Sequence, residues 1–322
     1  MTKPNFFIVG KPKSGTTALH HMLNQHPDVF MSPVKEPNHF ARDAIEAAER
    51  RNRGFRGLPY KKREDYLKLF ADSQDQKVVG ESSTAYMLSR EAAAQIETFN
   101  PDAKILMILR EPVDFLYSLH HQLLRSGNEN EGDFRKALLL EEDRKRGRKI
   151  PRSASDPANL FYSEQAKYCE QVQRYLDAFG RSNVKVLLYD DFRDDNLAVY
   201  REVLAFLEVD TNFKPELLEI NRNKDVRYVK LANWLIYHGE RKKGSIKQVA
   251  PSWIVKPTAA TLSSVFFKKV PRERLDPGLR QELFVQCKPE VQRLSELLQV
   301  DLVARWGYEN FDAAVAAERG HH

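Results

Sequence analysis

The chain has only two cysteines among its 322 residues, Cys169 and Cys287, far apart and without a CxxC spacing. A disulfide scaffold and a zinc ribbon are therefore excluded as organising principles. Long apolar runs are missing too. Ile105–Leu109, the most hydrophobic run, falls far short of the roughly 20 residues that a membrane-spanning helix needs. The first apolar stretch, Phe6–Val9, is too short for the hydrophobic region of a secretion signal. The expectation is a soluble protein of a reducing compartment, cytoplasmic and without an integral membrane segment. There is no internal repeat, no low-complexity tract and no clean linker. Charge of one sign is not concentrated either: 51 Lys and Arg face 45 Asp and Glu, for a net +6. That balance suits anionic ligands and is too diffuse to argue for nucleic acid.

What is present reads as an α/β protein. Phe6–Val9 is a continuous apolar run, as a strand buried on both faces of a parallel sheet would be. A Gly-bounded loop, Gly10–Gly15, breaks it. Ala18, Leu19, Met22 and Leu23 then recur at helical spacing until His26-Pro27. Lys104–Leu109 and Val184–Tyr189 read as strong strands, and Lys77–Gly80 as a weak one. Helices are expected after Arg110 and at about 163–179, 197–208, 228–238 and 279–299. Alternation of this kind predicts a P-loop-type parallel β-sheet flanked by helices. We expect one domain over 1–322, with a core of about 5–210 and 279–310. Variable helical and loop insertions fall at about 41–76, 140–160 and 239–275.

The loop Gly10-Lys11-Pro12-Lys13-Ser14-Gly15-Thr16-Thr17 lies between strand and helix. In that setting backbone N–H groups converge on a phosphate, helped by the positive end of the helix dipole. The bland alternative is an ordinary β–α turn with a Thr cap. As an ATP loop it is poor. The Walker lysine follows the second glycine; here that position is Thr16, and the lysine sits inside the loop as Lys13. Lys11 is expected to point to solvent.

Several segments together resemble a known family. Lys13-Ser-Gly-Thr-Thr17 after an apolar strand resembles the loop of sulfotransferases that use 3′-phosphoadenosine 5′-phosphosulfate (PAPS), as found in bacterial and carbohydrate-type enzymes. His26-Pro-Asp-Val29 with Lys35-Glu-Pro-Asn-His-Phe40 is similar to their second stretch. Ile105–Leu119, containing Leu109-Arg-Glu-Pro112 and Ser118, resembles their 3′-phosphate segment. Gly80–Tyr86 and Tyr189–Phe192 fit more loosely, and the whole covers residues 6 to about 210.

The resemblance implies a metal-independent transfer from PAPS to a hydroxyl, leaving 3′-phosphoadenosine 5′-phosphate (PAP). Such chemistry needs an anion cradle, a cation for the leaving phosphate and a base for the attacking hydroxyl. Lys13 would stabilise the leaving phosphate, with Ser14, Gly15, Thr16 and Thr17 on the 5′-phosphate. Arg110 and Ser118 would hold the 3′-phosphate; the bland alternative for Arg110 is a salt bridge to Glu111 or a neighbour. Glu36 is the expected base, with His39 its rival; His20, His21 and His26 read as helix-surface or helix-end residues. Arg227, in the polar stretch 221–228, is expected near the donor's adenine or phosphate. Trp253 and Phe266-Phe267 would line an acceptor pocket or belong to the core. One departure stands out: where many relatives carry a second lysine, this chain has Ser82, with Thr84 in place of a proline. Glu81 reads as a structural or acceptor-contacting carboxylate.

The acceptor is open: the hydroxyl of a small molecule, lipid or carbohydrate, free or carrier-bound. Two Arg/Lys-rich segments, Arg50–Arg63 and Glu141–Pro157, read either as solvated loops or as lids over an anionic ligand. An atypical P-loop kinase using ATP and Mg²⁺, or a non-catalytic nucleotide-binding protein, remain the alternative functions.

Overall fold

The computed structural model describes residues 2–51, 60–216, 225–226, 267–268 and 274–309. Its centre is a five-stranded sheet made of β1 (Phe6–Gly10), β2 (Val29–Met31), β3 (Val78–Ser82), β4 (Lys104–Leu109) and β5 (Val184–Leu188). The spatial order is β2-β3-β1-β4-β5, every pair parallel. Helices connect the strands: α1 (Thr16–Leu23), α2 (Arg42–Arg51), α3 (Arg63–Leu67), α4 (Ala85–Leu88) and α5 (Ala92–Phe99) precede β4. After it come α6 (Pro112–Ser126), α7 (Phe134–Leu139), α8 (Glu141–Lys145), α9 (Tyr162–Gln165) and α10 (Tyr168–Phe179). Beyond β5 lie α11 (Tyr189–Asp194) and α12 (Asn196–Leu207), then a long helix at Pro277–Leu298. The expected fold class is the observed one.

Period-two geometry sorts the strand side chains into two layers. Phe6 and Ile8 of β1 join Leu106 and Ile108 of β4 in a cluster with Leu19, Met22 and Leu23 of α1 and Tyr200, Val203 and Leu204 of α12. Phe7 faces the other way and meets Phe40 edge-on at 5.9 Å. All five residues of β1 are buried, which explains why its sequence runs apolar without alternation. β3 needs a glycine at 80, because a Cβ there would come within 2.7 Å of the Phe6 ring.

The chain divides into two compact units. Met1–Phe115, Ser163–Ile220 and Gln281–His322 form the first, which contains the sheet; Leu116–Tyr162 and Asn221–Arg280 form the second. In the second unit the fully buried Arg144 of α8 reaches both carboxylate oxygens of Glu129 at 2.7 Å, and Tyr162 donates to the same group. Asp225–Val226 and Phe267–Lys268 pair antiparallel there as β6 and β7.

Differences from expectation are local. β2 has only three residues and carries no sequence signal of its own. The helix expected over 163–179 is interrupted between Gln165 and Tyr168. The segment 140–160 is neither wholly solvated nor simply a loop, since it contains α8 and the buried Arg144. The helix expected at 228–238 lies outside the described residues.

Candidate functional site

The loop between β1 and α1 turns through two left-handed residues. Gly15 (φ 85°) caps the helix, and Lys13 adopts φ 63° without being a glycine. Non-glycine residues rarely hold that conformation, and they do so mostly where surrounding structure enforces it. Gly15 has a further constraint: a Cβ would come within 2.7 Å of the Phe192 ring. Ser14 and Thr16 are buried, whereas Lys13 and Thr17 are half-buried.

Arg110 follows β4 and lies against this loop. Its Nη1 donates to the Lys13 carbonyl at 3.4 Å, and its guanidinium stacks over the Tyr189 ring at 4.8 Å. The Arg110 guanidinium is thus held against the backbone of the loop that carries Lys13, an arrangement that fits a phosphorylated donor. Glu111 is not the partner of Arg110. Its carboxylate accepts from the Val113 and Asp114 amides and from the Tyr308 hydroxyl, and burial pushes its pKa up to about 6. Ser118 is buried on α6, in the second unit.

Lys11 corrects the expectation of a solvent-facing side chain. It is buried, donates to the Gln165 carbonyl at 2.9 Å and lies over the Phe115 and Tyr168 rings. Burial, with Arg174 adding repulsion, holds its pKa well below the usual lysine value.

Glu36 sits in the connection after β2, also left-handed (φ 59°), as is Asn38 (φ 54°). Its amide donates to the Ser82 carbonyl at the end of β3. Its half-buried carboxylate accepts from the Thr84 amide at 2.8 Å and from Lys35 Nζ at 2.9 Å, with the Thr84 hydroxyl at 3.2–3.3 Å. Lys35 supplies a cation beside this carboxylate in a chain that has serine at 82. His20 belongs here as well and is not a surface residue: buried on α1, its Nδ1 lies 2.9 Å from Ser82 Oγ. Burial, then the Lys35 charge, lower its pKa to about 4, so the ring is neutral near pH 7.

His39, the rival base, is buried and occupied. Its Nδ1 meets the Tyr60 carbonyl at 2.7 Å, its ring stacks on Tyr66 at 4.3 Å, and burial lowers its pKa. It lines a cleft of about 620 Å³ with Arg42, Arg63 and Arg90, over Phe40 and Phe99. Arg227 and Trp253 lie outside the described residues, as does Arg53–Arg56 of the basic insert. Among the described residues, no three His, Cys, Asp or Glu side chains gather as a metal-ligand set. Nor is any described helix long and apolar enough to cross a membrane. Both cysteines are free thiols.

Lys35, Thr84 and the role of His20 were missed in sequence. The signal available for Lys35 and Thr84 was their adjacency to Glu36 and Ser82. His20 gave none, because only the strand register brings it to Ser82.

Comparison with known proteins agrees with this geometry. A family described as "Sulfotransferase domain" matches residues 3–254. Carbohydrate sulfotransferase 15 of Rattus norvegicus is 32% identical over 167 residues, covering 41% of this chain and 29% of the relative. Heparan sulfate glucosamine 3-O-sulfotransferase 5 of Mus musculus is 28% identical over 224 residues, or 68% of this chain and 56% of that one. The chain thus matches under a third of the first relative's length and just over half of the second's. The crystal structure of a sulfotransferase from Alicyclobacillus acidocaldarius superposes with a TM-score of 0.67 and 30% identity, covering 94% of this chain and 99% of that one. A family match across three quarters of the sequence, joined to a shared fold over nearly all of it, makes this chain a member of the sulfotransferase domain family, which draws its sulfuryl group from PAPS.

Proposed function

We propose that this chain transfers the sulfuryl group of PAPS to a hydroxyl acceptor, releasing PAP. The observation that carries the reading is the pairing of two features at one edge of the sheet. A cationic loop follows β1, and the Glu36 carboxylate, in the connection after β2, is held by the Thr84 amide just past β3, the neighbour of β1. PAPS supplies an activated sulfuryl group on a phosphate leaving group.

The protein's own residues supply the rest. Lys13 neutralises charge gathering on the departing 5′-phosphate, a contribution realised mostly in the transition state. Ser14, Gly15, Thr16 and Thr17 hold that phosphate, and Arg110 with Ser118 holds the 3′-phosphate. Arg227 belongs to the adenine side. Glu36 takes the proton from the acceptor hydroxyl, oriented by the Thr84 amide. Lys35 Nζ donates to the same carboxylate at 2.9 Å and places a cation beside it.

For the acceptor we infer a carbohydrate hydroxyl on a chain that carries negative charge. The support is the cleft with three arginines, Arg42, Arg63 and Arg90, where Glu91 is the one acid among the described lining residues. It starts three residues after Glu36, and carbohydrate substrates are also what the curated relatives' names print.

A thermal-shift panel tests the donor. PAP without metal should raise Tm by several degrees, ADP less, and ATP with Mg²⁺ no more than ADP. Stabilisation by ATP with Mg²⁺ alone would instead make the chain a nucleotide-dependent phosphotransferase. Incubation with PAPS and either a uronic-acid-containing or a neutral oligosaccharide then tests the acceptor; equal turnover of both rejects the charged class.

A further inference from the structure

Glu81 has no part in the chemistry described so far, yet it is one of the most elaborately partnered side chains in the first unit. It is fully buried in β3. Its Oε1 accepts from the Tyr66 hydroxyl at 2.9 Å and the Tyr86 hydroxyl at 2.7 Å, and its Oε2 from the Ser83 hydroxyl at 2.6 Å. A buried carboxylate with three hydroxyl donors is expensive to desolvate and is seldom kept without a task.

Two of those hydroxyls have a second partner. Ser83 Oγ accepts the Asn38 amide at 3.0 Å, and Tyr86 Oη accepts the Phe40 amide at 3.4 Å. Both amides belong to the segment that starts at Glu36. A hydroxyl that donates to a carboxylate has its hydrogen directed away, which turns its lone pairs toward an incoming N–H. Glu81 thereby orients both hydroxyls as acceptors for the loop. That loop needs holding: Glu36 and Asn38 are both left-handed, a conformation that is costly for non-glycine residues and persists only where neighbours enforce it. The third anchor, Glu36 N–H to the Ser82 carbonyl, comes from the residue next to Glu81.

We propose that Glu81 is a positioning residue for the reaction, holding the 36–40 loop through Ser83 and Tyr86 so that the Glu36 carboxylate stays beside Thr84. This rests on the reading of Glu36 as the base. Tyr66 provides an internal control. Its ring packs on His39 and Phe40, but its hydroxyl, which donates to the same carboxylate, is given no amide of the loop, so Tyr66→Phe removes a partner of Glu81 and keeps the ring packing.

The test compares Glu81→Met, which has similar bulk and no strong acceptor, with Glu81→Gln, which keeps one carbonyl for the two tyrosines and an amide for Ser83. Hydrogen exchange over residues 33–41 and the rate of PAP release from PAPS, with water as acceptor, are measured on each full-length variant. In Glu81→Met, both exchange and turnover should worsen by about tenfold or more, while PAP affinity by calorimetry stays within about threefold. Glu81→Gln and Tyr66→Phe should stay within about threefold of wild type in both readouts. If Glu81→Met does not fold, Ser83→Ala replaces it, with Ser83→Thr as the rescue. Unchanged exchange, unchanged turnover, or a Tyr66→Phe defect equal to that of Glu81→Met overturns the proposal. Glu36→Gln separates the two readings. If it stays near wild-type turnover, the base assignment falls and the catalytic role of Glu81 with it, whatever exchange shows.

Discussion

Among single residues, the buried titratable groups yield opposite and separable pH dependences. Burial raises the Glu81 pKa from 4.5 to about 7, so the fold favours its protonated form. Its contribution is complete below about pH 4.5 and is lost as pH rises through about 7, an effect on the order of 3 kcal/mol. His20 runs the other way: with its pKa lowered to about 4, its contribution is present above pH 6.5 and lost as pH falls through 4. Urea unfolding at pH 5 and 7.5 checks the first, where the stability of wild type relative to Glu81→Gln should drop at the higher pH. Unfolding at pH 4 and 7 checks the second against His20→Gln. A third expectation concerns Lys13. Its replacement by Ala should lower PAP release by about 100-fold or more, while weakening PAP itself far less, because leaving-group charge is greatest in the transition state. Equal losses in both would make Lys13 a binding residue only. The loop's place between β1 and α1 was legible in sequence, because an apolar run, two glycines and a helical period are local signals. The burial of Lys11 was not: it is decided by Gln165, Phe115 and Tyr168, all distant in sequence.

At the level of elements, strong strands announced themselves and weak ones did not. Lys104–Leu109 is buried from Ile105 onward and reads as a continuous apolar run. β3 reads VVGES, and its Gly, Glu and Ser look like loop chemistry until Glu81 is seen to be partnered and Gly80 to be pressed against Phe6. The loop after β2 had its carboxylate, Glu36, visible in Lys35–Phe40, but its left-handed backbone has no local signature; the hydroxyls that meet its amides are Ser83, just past β3, and Tyr86 on α4. Helix α8 illustrates the same limit. Among the many basic residues of 144–152, only pairing with Glu129 makes Arg144 the buried one. Glu129→Gln should therefore destabilise the protein by about 3–5 kcal/mol, since it leaves a buried guanidinium short of its counter-charge. Glu129→Leu combined with Arg144→Met should recover much of that loss. Denaturant midpoints of the single and double variants check the pair; equal midpoints for all would show that the ion pair contributes nothing.

Across the whole molecule, fold class followed from the alternation of apolar runs with helical periodicity, whereas the strand order did not. That order, β2-β3-β1-β4-β5, places the first strand to be synthesised in the middle of the sheet. Both neighbours of β1 arrive late, since its pairing begins at Gly80 on one side and Lys104 on the other. On the ribosome, at roughly 5–20 residues per second, Phe6–Gly10 must wait several seconds for its first hydrogen-bonded partner. Throughout that interval Phe-Phe-Ile-Val is an unpaired, strongly apolar edge. Parallel pairing of this kind closes long loops before any contact rewards it, so folding is slow as well as late. The strand that leads into the Gly10–Gly15 loop is therefore also a segment that needs shielding while the chain is being made.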